Sequence, residues 1–261
     1  MRFTSRLRAV LLLLLALFAP LSALAGGSIT IAAAADLKFA MDEIVQAFRA
    51  TRPDESIEVI YGSSGKFNTQ IRQGAPFDLY FSADIAFPRE LEKAGLAAGA
   101  TRPYAVGRIV LWSNSRDASR MTLADLLDPA IAKIAIANPR HAPYGKRAEE
   151  ALRSAGLWEK LQGKLVMGEN IAQTAQFVQT GNAQVGIIAL SLALNPTLAR
   201  AGGHGLIDDS LHAPLEQGFV VTRQAAGNRL ASAFADFMGG REARGIMTRY
   251  GFVLPDEPAA R

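Results

Sequence analysis

Apolar and polar positions along this chain follow two alternating rhythms. Short apolar runs at Ser28–Ala33, Ser56–Tyr61 and Asp78–Ser82 have the length and composition of buried strands. Between them, Leu37–Arg49 places Leu37, Met41, Ile44, Val45 and Phe48 on one helical face. Shorter helices are predicted at Lys66–Gln73 and near Pro88–Ala94. This βαβαβα order predicts a parallel sheet covered by helices on both faces. Gly107–Ser113 reads as one strand with no crossover helix after it. A second α/β set then runs through strand Lys133–Ala137, helix Gly145–Ala155, strand Leu165–Met167, a helix from about Ala172 to Gln179, and strand Val185–Ala189. Glu216–Val221 reads as a further strand, and helices near Asn228–Met238 and Arg241–Tyr250 finish the chain before a tail expected to fray from Pro255.

Two α/β sets without a flexible linker predict an α/β fold of two lobes, each a mostly parallel sheet flanked by helices, with the ligand cleft between them. The expected division is residues 26–113 plus 212–261 in the first lobe and 114–211 in the second. The first 25 residues are expected to lie outside both. Arg2, Arg6 and Arg8 precede an apolar stretch from Leu11 to Phe18, and Ala23-Leu24-Ala25 has the small-x-small form of an export cleavage site. A periplasmic protein cleaved after Ala25 is therefore predicted.

Composition narrows the chemistry. The chain of 261 residues has no cysteine, which excludes disulfides, a thiol nucleophile and thiolate metal sites. Its three histidines, His141, His204 and His212, lack the spacing of a zinc site. The formal charge of +4 owes three arginines to the export segment; without it 25 basic residues face 24 acidic ones, so a general basic field for nucleic acid is not expected.

The candidate chemistry lies where strands run into helices. Ala34-Ala35-Asp36, Gly62-Ser63-Ser64-Gly65, Asn138 to Gly145 and Asn170-Ile171-Ala172 all precede helix starts. Each is individually an ordinary cap. Free N–H groups at several helix starts converging on one point would bind an anion without Lys or Arg.

These segments also carry a family resemblance. Ala32–Leu37, Gly62–Gly65, Gln73–Asp84, Ile136–Gly145 and Tyr250–Pro255 resemble, in order and spacing, the periplasmic molybdate-binding proteins of ABC importers. That resemblance implies the bilobal type II periplasmic-binding-protein fold, a molybdate or tungstate ligand, no further cofactor, no catalysis, a membrane permease as partner and a monomeric chain. It also implies the ligand set Asp36, Ser63, Ser64, Tyr144 and Ile171. Within it, Ser64 matches a binding serine, Tyr144 a tyrosine that offers its hydroxyl or its main-chain N–H, and Ile171 a main-chain donor. Ala189 stands where some relatives place the tyrosine, so Tyr144 is expected to supply the phenol. Asp36 stands where the family usually has a hydroxyl or an amide. Its carboxylate has three physical options: capping the Leu37 helix, facing the ligand as the neutral acid, or accepting a hydrogen bond from a protonated ligand oxygen such as that of hydrogen phosphate or arsenate. Of these, the cap is the expected arrangement.

Other readings of the same residues are weighed against this one. Another tetrahedral oxyanion, such as phosphate or sulfate, remains an alternative. Ser63-x-x-Lys66 has the spacing of a Ser–Lys acylase, but the companion Ser-Asp-Asn and Lys-Thr-Gly motifs are absent. The segment is not a P-loop, because Phe67 follows Gly65-Lys66. A ligand-sensing regulator of this fold would carry a DNA-binding module, and none is present. Trp112 and Trp158 read as packing, Asp78 as a structural acceptor, His141 as loop structure and Lys66 as solvated.

Overall fold

The computed structural model describes residues 27–255, so the predicted export segment and nearly all of the predicted frayed tail lie outside the described residues. In chain order the elements are β1 (Ser28–Ala34), α1 (Lys38–Ala50), β2 (Ser56–Gly62), α2 (Ser64–Arg72), β3 (Leu79–Ser82), α3 (Ala86–Lys93), β4 (Arg102–Gly107), β5 (Ile109–Ser113), β6 (Ile134–Ala137), α4 (Pro143–Ser154), α5 (Trp158–Leu161), β7 (Leu165–Gly168), α6 (Ile171–Gln179), β8 (Val185–Ala189), α7 (Leu190–Ala193), α8 (Pro196–Ala201), β9 (Gly203–Leu206), β10 (Leu215–Val221), α9 (Arg229–Phe237) and α10 (Arg241–Arg249).

The strands form two five-stranded sheets, ordered β2-β1-β3-β10-β4 and β7-β6-β8-β5-β9. Each has three parallel strands, then an antiparallel fourth strand that carries the edge strand antiparallel to itself. The two sheets therefore have the same layout built from different stretches of chain. The parallel strands β1, β3, β6 and β8 are almost wholly apolar, as two-sided burial requires, whereas the edge strands β2 and β7 are only partly buried. Helix α1 shows the predicted face: Met41, Ile44 and Phe48 are buried with Leu37, while Val45 is only half-buried.

The two lobes join through short crossings. Gly107–Ser113, read as one strand, is divided between two: β4 ends at Gly107 in the first sheet and β5 begins at Ile109 in the second. β4 was missed because Arg102-Pro103 opens it with polar and proline character, which an edge strand tolerates. β9, a Gly-His-Gly-Leu edge strand, was missed for a similar reason. The C-terminal segment then docks on β4: Val106 and Val253 exchange main-chain hydrogen bonds of 2.7 and 3.0 Å, and Phe252 and Leu254 are buried.

Two helices begin earlier than predicted, and both shifts bear on the cleft. α2 starts at Ser64 and α4 at Pro143, so Ser64 and Tyr144 lie in first helical turns rather than in preceding loops. Proline at the first helical position has no N–H to leave unpaired, so it favours such a start. Asp78 accepts a 2.7 Å bond from the Thr30 N–H, and Trp112 and Trp158 are buried in the second core, as expected.

Candidate functional site

Four chain segments converge where the lobes meet. β1 ends in the single 3-10 turn Ala35–Leu37, β2 runs into α2, and from the opposite lobe come the first turns of α4 and α6. Together they border a small pocket lined by Ala34, Asp36, Ser63, Ser64, Tyr144, Ile171 and six further residues. All five sequence-predicted site residues thus border one space. Among the described residues, no lysine, arginine or histidine lines it. The first N–H groups of a helix have no partner inside the helix, so the starts of α2, α4 and α6 present donors and partial positive charge here.

Each side chain has a distinct task. Ser64 is buried, and its Oγ accepts the Ala83 N–H at 3.0 Å while its carbonyl accepts the Tyr80 hydroxyl at 2.7 Å. With its oxygen anchored as an acceptor, the Ser64 hydroxyl hydrogen remains to be donated. Ser63 is committed elsewhere: its Oγ donates to the His141 carbonyl at 2.7 Å and lies 2.9 Å from His141 Nδ1. Ile171 follows Asn170, whose side chain caps α6 by accepting the Gln173 N–H at 3.0 Å and leaves the Ile171 N–H at the open helix end.

Asp36 and Tyr144 depart from expectation together. The Asp36 carboxylate makes no capping bond to the helix it precedes. Instead its Oδ2 accepts the Tyr144 hydroxyl at 2.9 Å and the Gln217 amide at 2.9 Å, and that amide also donates to the Tyr144 oxygen at 3.0 Å. The predicted cap is therefore wrong, because two donors arriving from β10 and from the other lobe compete successfully for the carboxylate. The Tyr144 phenol, expected to point at a ligand, is engaged with Asp36. Asp36 Oδ1 is buried without a hydrogen-bond partner, as is Gln217 Oε1. Burial pushes the Asp36 carboxyl up to about 6; the Gln217 amide, the Tyr144 hydroxyl and the neighbouring N–H groups of Asp36 and Leu37 oppose it only in part. Burial and the adjacent carboxylate raise the Tyr144 phenol well above its ordinary value.

The lobes also touch along the outer rim. The Gly65 N–H donates to the His141 carbonyl at 2.9 Å, and Lys66, exposed as expected, also pairs with Glu169. His141 Nε2 lies 3.8 Å from Glu169, but burial holds the imidazole pKa below its ordinary value, so the ring is neutral at neutral pH. At the crossing, Arg147 of α4 lies 3.9 Å from Asp84 of the first lobe.

Gln217, Glu169 and Gly107 were not singled out by sequence. For Gln217 a signal existed: alternation in β10 puts it on the face of Leu215 and Phe219, where a polar side chain is fully buried. Gly107 carries no such signal. A Cβ there would lie 2.3 Å from the Tyr144 hydroxyl and 2.6 Å from the Gln217 amide, so only glycine permits the cluster.

Comparison with known proteins agrees with this architecture. The family model described as bacterial extracellular solute-binding protein matches residues 29–253. The chain is 36% identical to the molybdate-binding protein ModA of Rhodobacter capsulatus over 88% of this chain and 89% of that protein. It is likewise 36% identical to the protein of the same name from Azotobacter vinelandii, over 87% and 90% of the two chains. The solved periplasmic molybdate-binding protein of Azotobacter vinelandii superposes with a TM-score of 0.81 at 29% identity, covering 87% of this chain and all of that one. With a matching family model over most of its length, relatives above the level of chance likeness and the same two-lobed fold, this chain belongs to the bacterial extracellular solute-binding protein family.

Proposed function

We propose that this chain is the exported substrate-binding protein of an ABC importer, and that it captures molybdate or tungstate between its lobes for delivery to a membrane permease. The carrying observation is a pocket between the lobes at which the starts of α2, α4 and α6 meet and which, among the described residues, has no cationic side chain in its lining. Helix-start N–H groups and one anchored serine hydroxyl solvate a small dianion without a fixed counter-charge. In this reading Ser64 donates its hydroxyl, while Tyr144 and Ile171 donate main-chain N–H groups from first helical turns. The relatives named as molybdate-binding proteins support the choice of oxyanion.

The work is capture and closure, without turnover. The Ser63-x-x-Lys66 spacing does not form a nucleophile–base pair, since Ser63 donates to a carbonyl and Lys66 pairs with Glu169. Calorimetric titration with molybdate, tungstate, sulfate and phosphate tests the assignment. Molybdate and tungstate should bind alike and more tightly than sulfate or phosphate. Ser64→Ala should weaken molybdate binding roughly 10- to 150-fold, the equivalent of one hydrogen bond to a charged group. Tightest binding of phosphate or sulfate would overturn the ligand.

A further inference from the structure

An anion pocket lined by a carboxylate is a contradiction that its protonation state must resolve. We propose that Asp36 enters the anion complex as the neutral acid, carrying its proton on Oδ1, so that each oxyanion captured takes up one proton. This rests on the oxyanion reading above and adds to it a donor with a defined proton.

The hydrogen-bond network decides which oxygen carries that proton. Asp36 Oδ2 already accepts an O–H from Tyr144 and an N–H from Gln217. A carboxylate oxygen filled by two donors has no room for a third hydrogen on the same side. Oδ1 is the oxygen without a partner, and Asp36 lines the pocket. A neutral Asp36 therefore offers an O–H where the ionised form would set a negative charge against the ligand in a site shielded from water.

Among the described residues, no positive charge offsets the ionised form, and the hydrogen bonds to it offset burial only in part. Tyr144 and Tyr104 face Asp36, and burial raises both phenols well above their ordinary values, so neither carries charge to neutralise. α6 and α7 have no ionisable residue. At the start of α1, Lys38 turns to Asp42 at 3.3 Å and sits over the Tyr61 ring, while Tyr61 itself donates to Asp42 at 2.5 Å. Glu58 of β2 and Glu216 of β10 are exposed, and Arg147 of α4 is held by Glu150 at 2.9 Å. Burial already brings the carboxyl to about 6, and a dianion beside it raises that value further. Above pH 6 the free protein is ionised at Asp36, so capture must draw a proton from solvent.

Sodium molybdate titrated calorimetrically into the protein between about pH 6.5 and 8.5, in buffers of different ionisation enthalpy, reads this directly. Molybdate remains the dianion throughout that range. Affinity should fall roughly 50- to 100-fold across the interval, with close to one proton taken up per molybdate near the upper end. Asp36→Asn, which keeps an oxygen for Tyr144 and Gln217 and a fixed donor for the ligand, should show no proton uptake. It should also bind at least about tenfold more tightly than the unsubstituted protein at the alkaline end. A flat affinity without proton uptake in the unsubstituted protein would overturn the proposal while leaving molybdate as the ligand. Proton uptake that persists in Asp36→Asn would also overturn it, because the proton would then reside elsewhere. Phosphate bound in preference to molybdate, with that preference lost in Asp36→Asn, would make Asp36 an ionised acceptor. Failure of both proteins to bind any tested oxyanion at the acidic end would remove the oxyanion reading itself.

Discussion

Among the contacts between the two lobes, an inner one and an outer one differ in almost every physical respect. The inner one joins Asp36 and Gln217 of the first lobe to Tyr144 of the second, with Ser191 donating to the Asp36 carbonyl at 2.8 Å; all four residues are buried. The outer one joins Ser63, Gly65 and Lys66 to His141 and Glu169, and the Lys66 and Glu169 side chains are about half exposed. Each contains a glycine whose Cβ would strike the opposite partner: Gly107 against the Tyr144 hydroxyl, and Gly65 against the His141 carbonyl at 2.8 Å. Both contacts thus depend on close backbone approach, but they operate in different media. In the dry contact each donor and each proton changes the energy appreciably, because water cannot replace a lost partner. At the wet rim, water and salt substitute readily, so the same kinds of group align the lobes with little effect on stability. The chemistry that distinguishes this site therefore belongs to the inner contact.

The largest expected effect tests that difference without any ligand. Asp36 titrates at about 6 in the folded chain against an ordinary value of 3.8, so the folded state binds the proton more tightly than the unfolded one. Stability should then fall as pH rises from about 4 to about 6 and stay reduced above that. Asp36→Asn should accordingly raise the unfolding free energy by about 2–3 kcal/mol at pH 8 and change it little near pH 4. Urea unfolding at both pH values measures this, and an equal gain at each would mean that burial of the charge is not the cause.

A somewhat smaller effect is expected at Tyr144. Tyr144→Phe removes a donor from the ionised carboxylate and should lower stability at pH 8 by about 1.5–3 kcal/mol. The loss should shrink near pH 5, where Asp36 is neutral. An identical loss at the two pH values would assign the effect to packing instead.

The smallest effect belongs to the rim. Lys66→Ala should lower stability by less than about 1 kcal/mol, and the difference should fade in high salt. A salt-independent loss comparable with that of Tyr144→Phe would erase the distinction between the two contacts.

Much of this arrangement was legible from residue pattern. The apolar runs of β1, β3, β6 and β8 announce buried parallel strands, and the small polar residues at strand ends mark the helix starts that border the pocket. Those signals are local, since strand and helix periods repeat within a few residues. The positions of Asp36, Ser63, Ser64, Tyr144 and Ile171 around one space follow from that local pattern together with the family resemblance.

What only the tertiary structure decided is who pairs with whom. Asp36 had a local partner available, the helix behind it, and capping was the expectation. It instead accepts hydrogen bonds from residues 108 and 181 positions away in sequence. The crossing at Arg108 was hidden for the same reason, because Gly107–Ser113 is locally a plausible single strand whose halves are claimed by different sheets. Periodicity reports which face of an element is buried; it carries no information about the element that buries it. The chain by itself therefore determined the strands, the helix starts and their donors. Only the docking of β10 and α4 over the first helix start determined that Asp36 is a dry, shared carboxylate, and so placed a titrating proton beside the pocket.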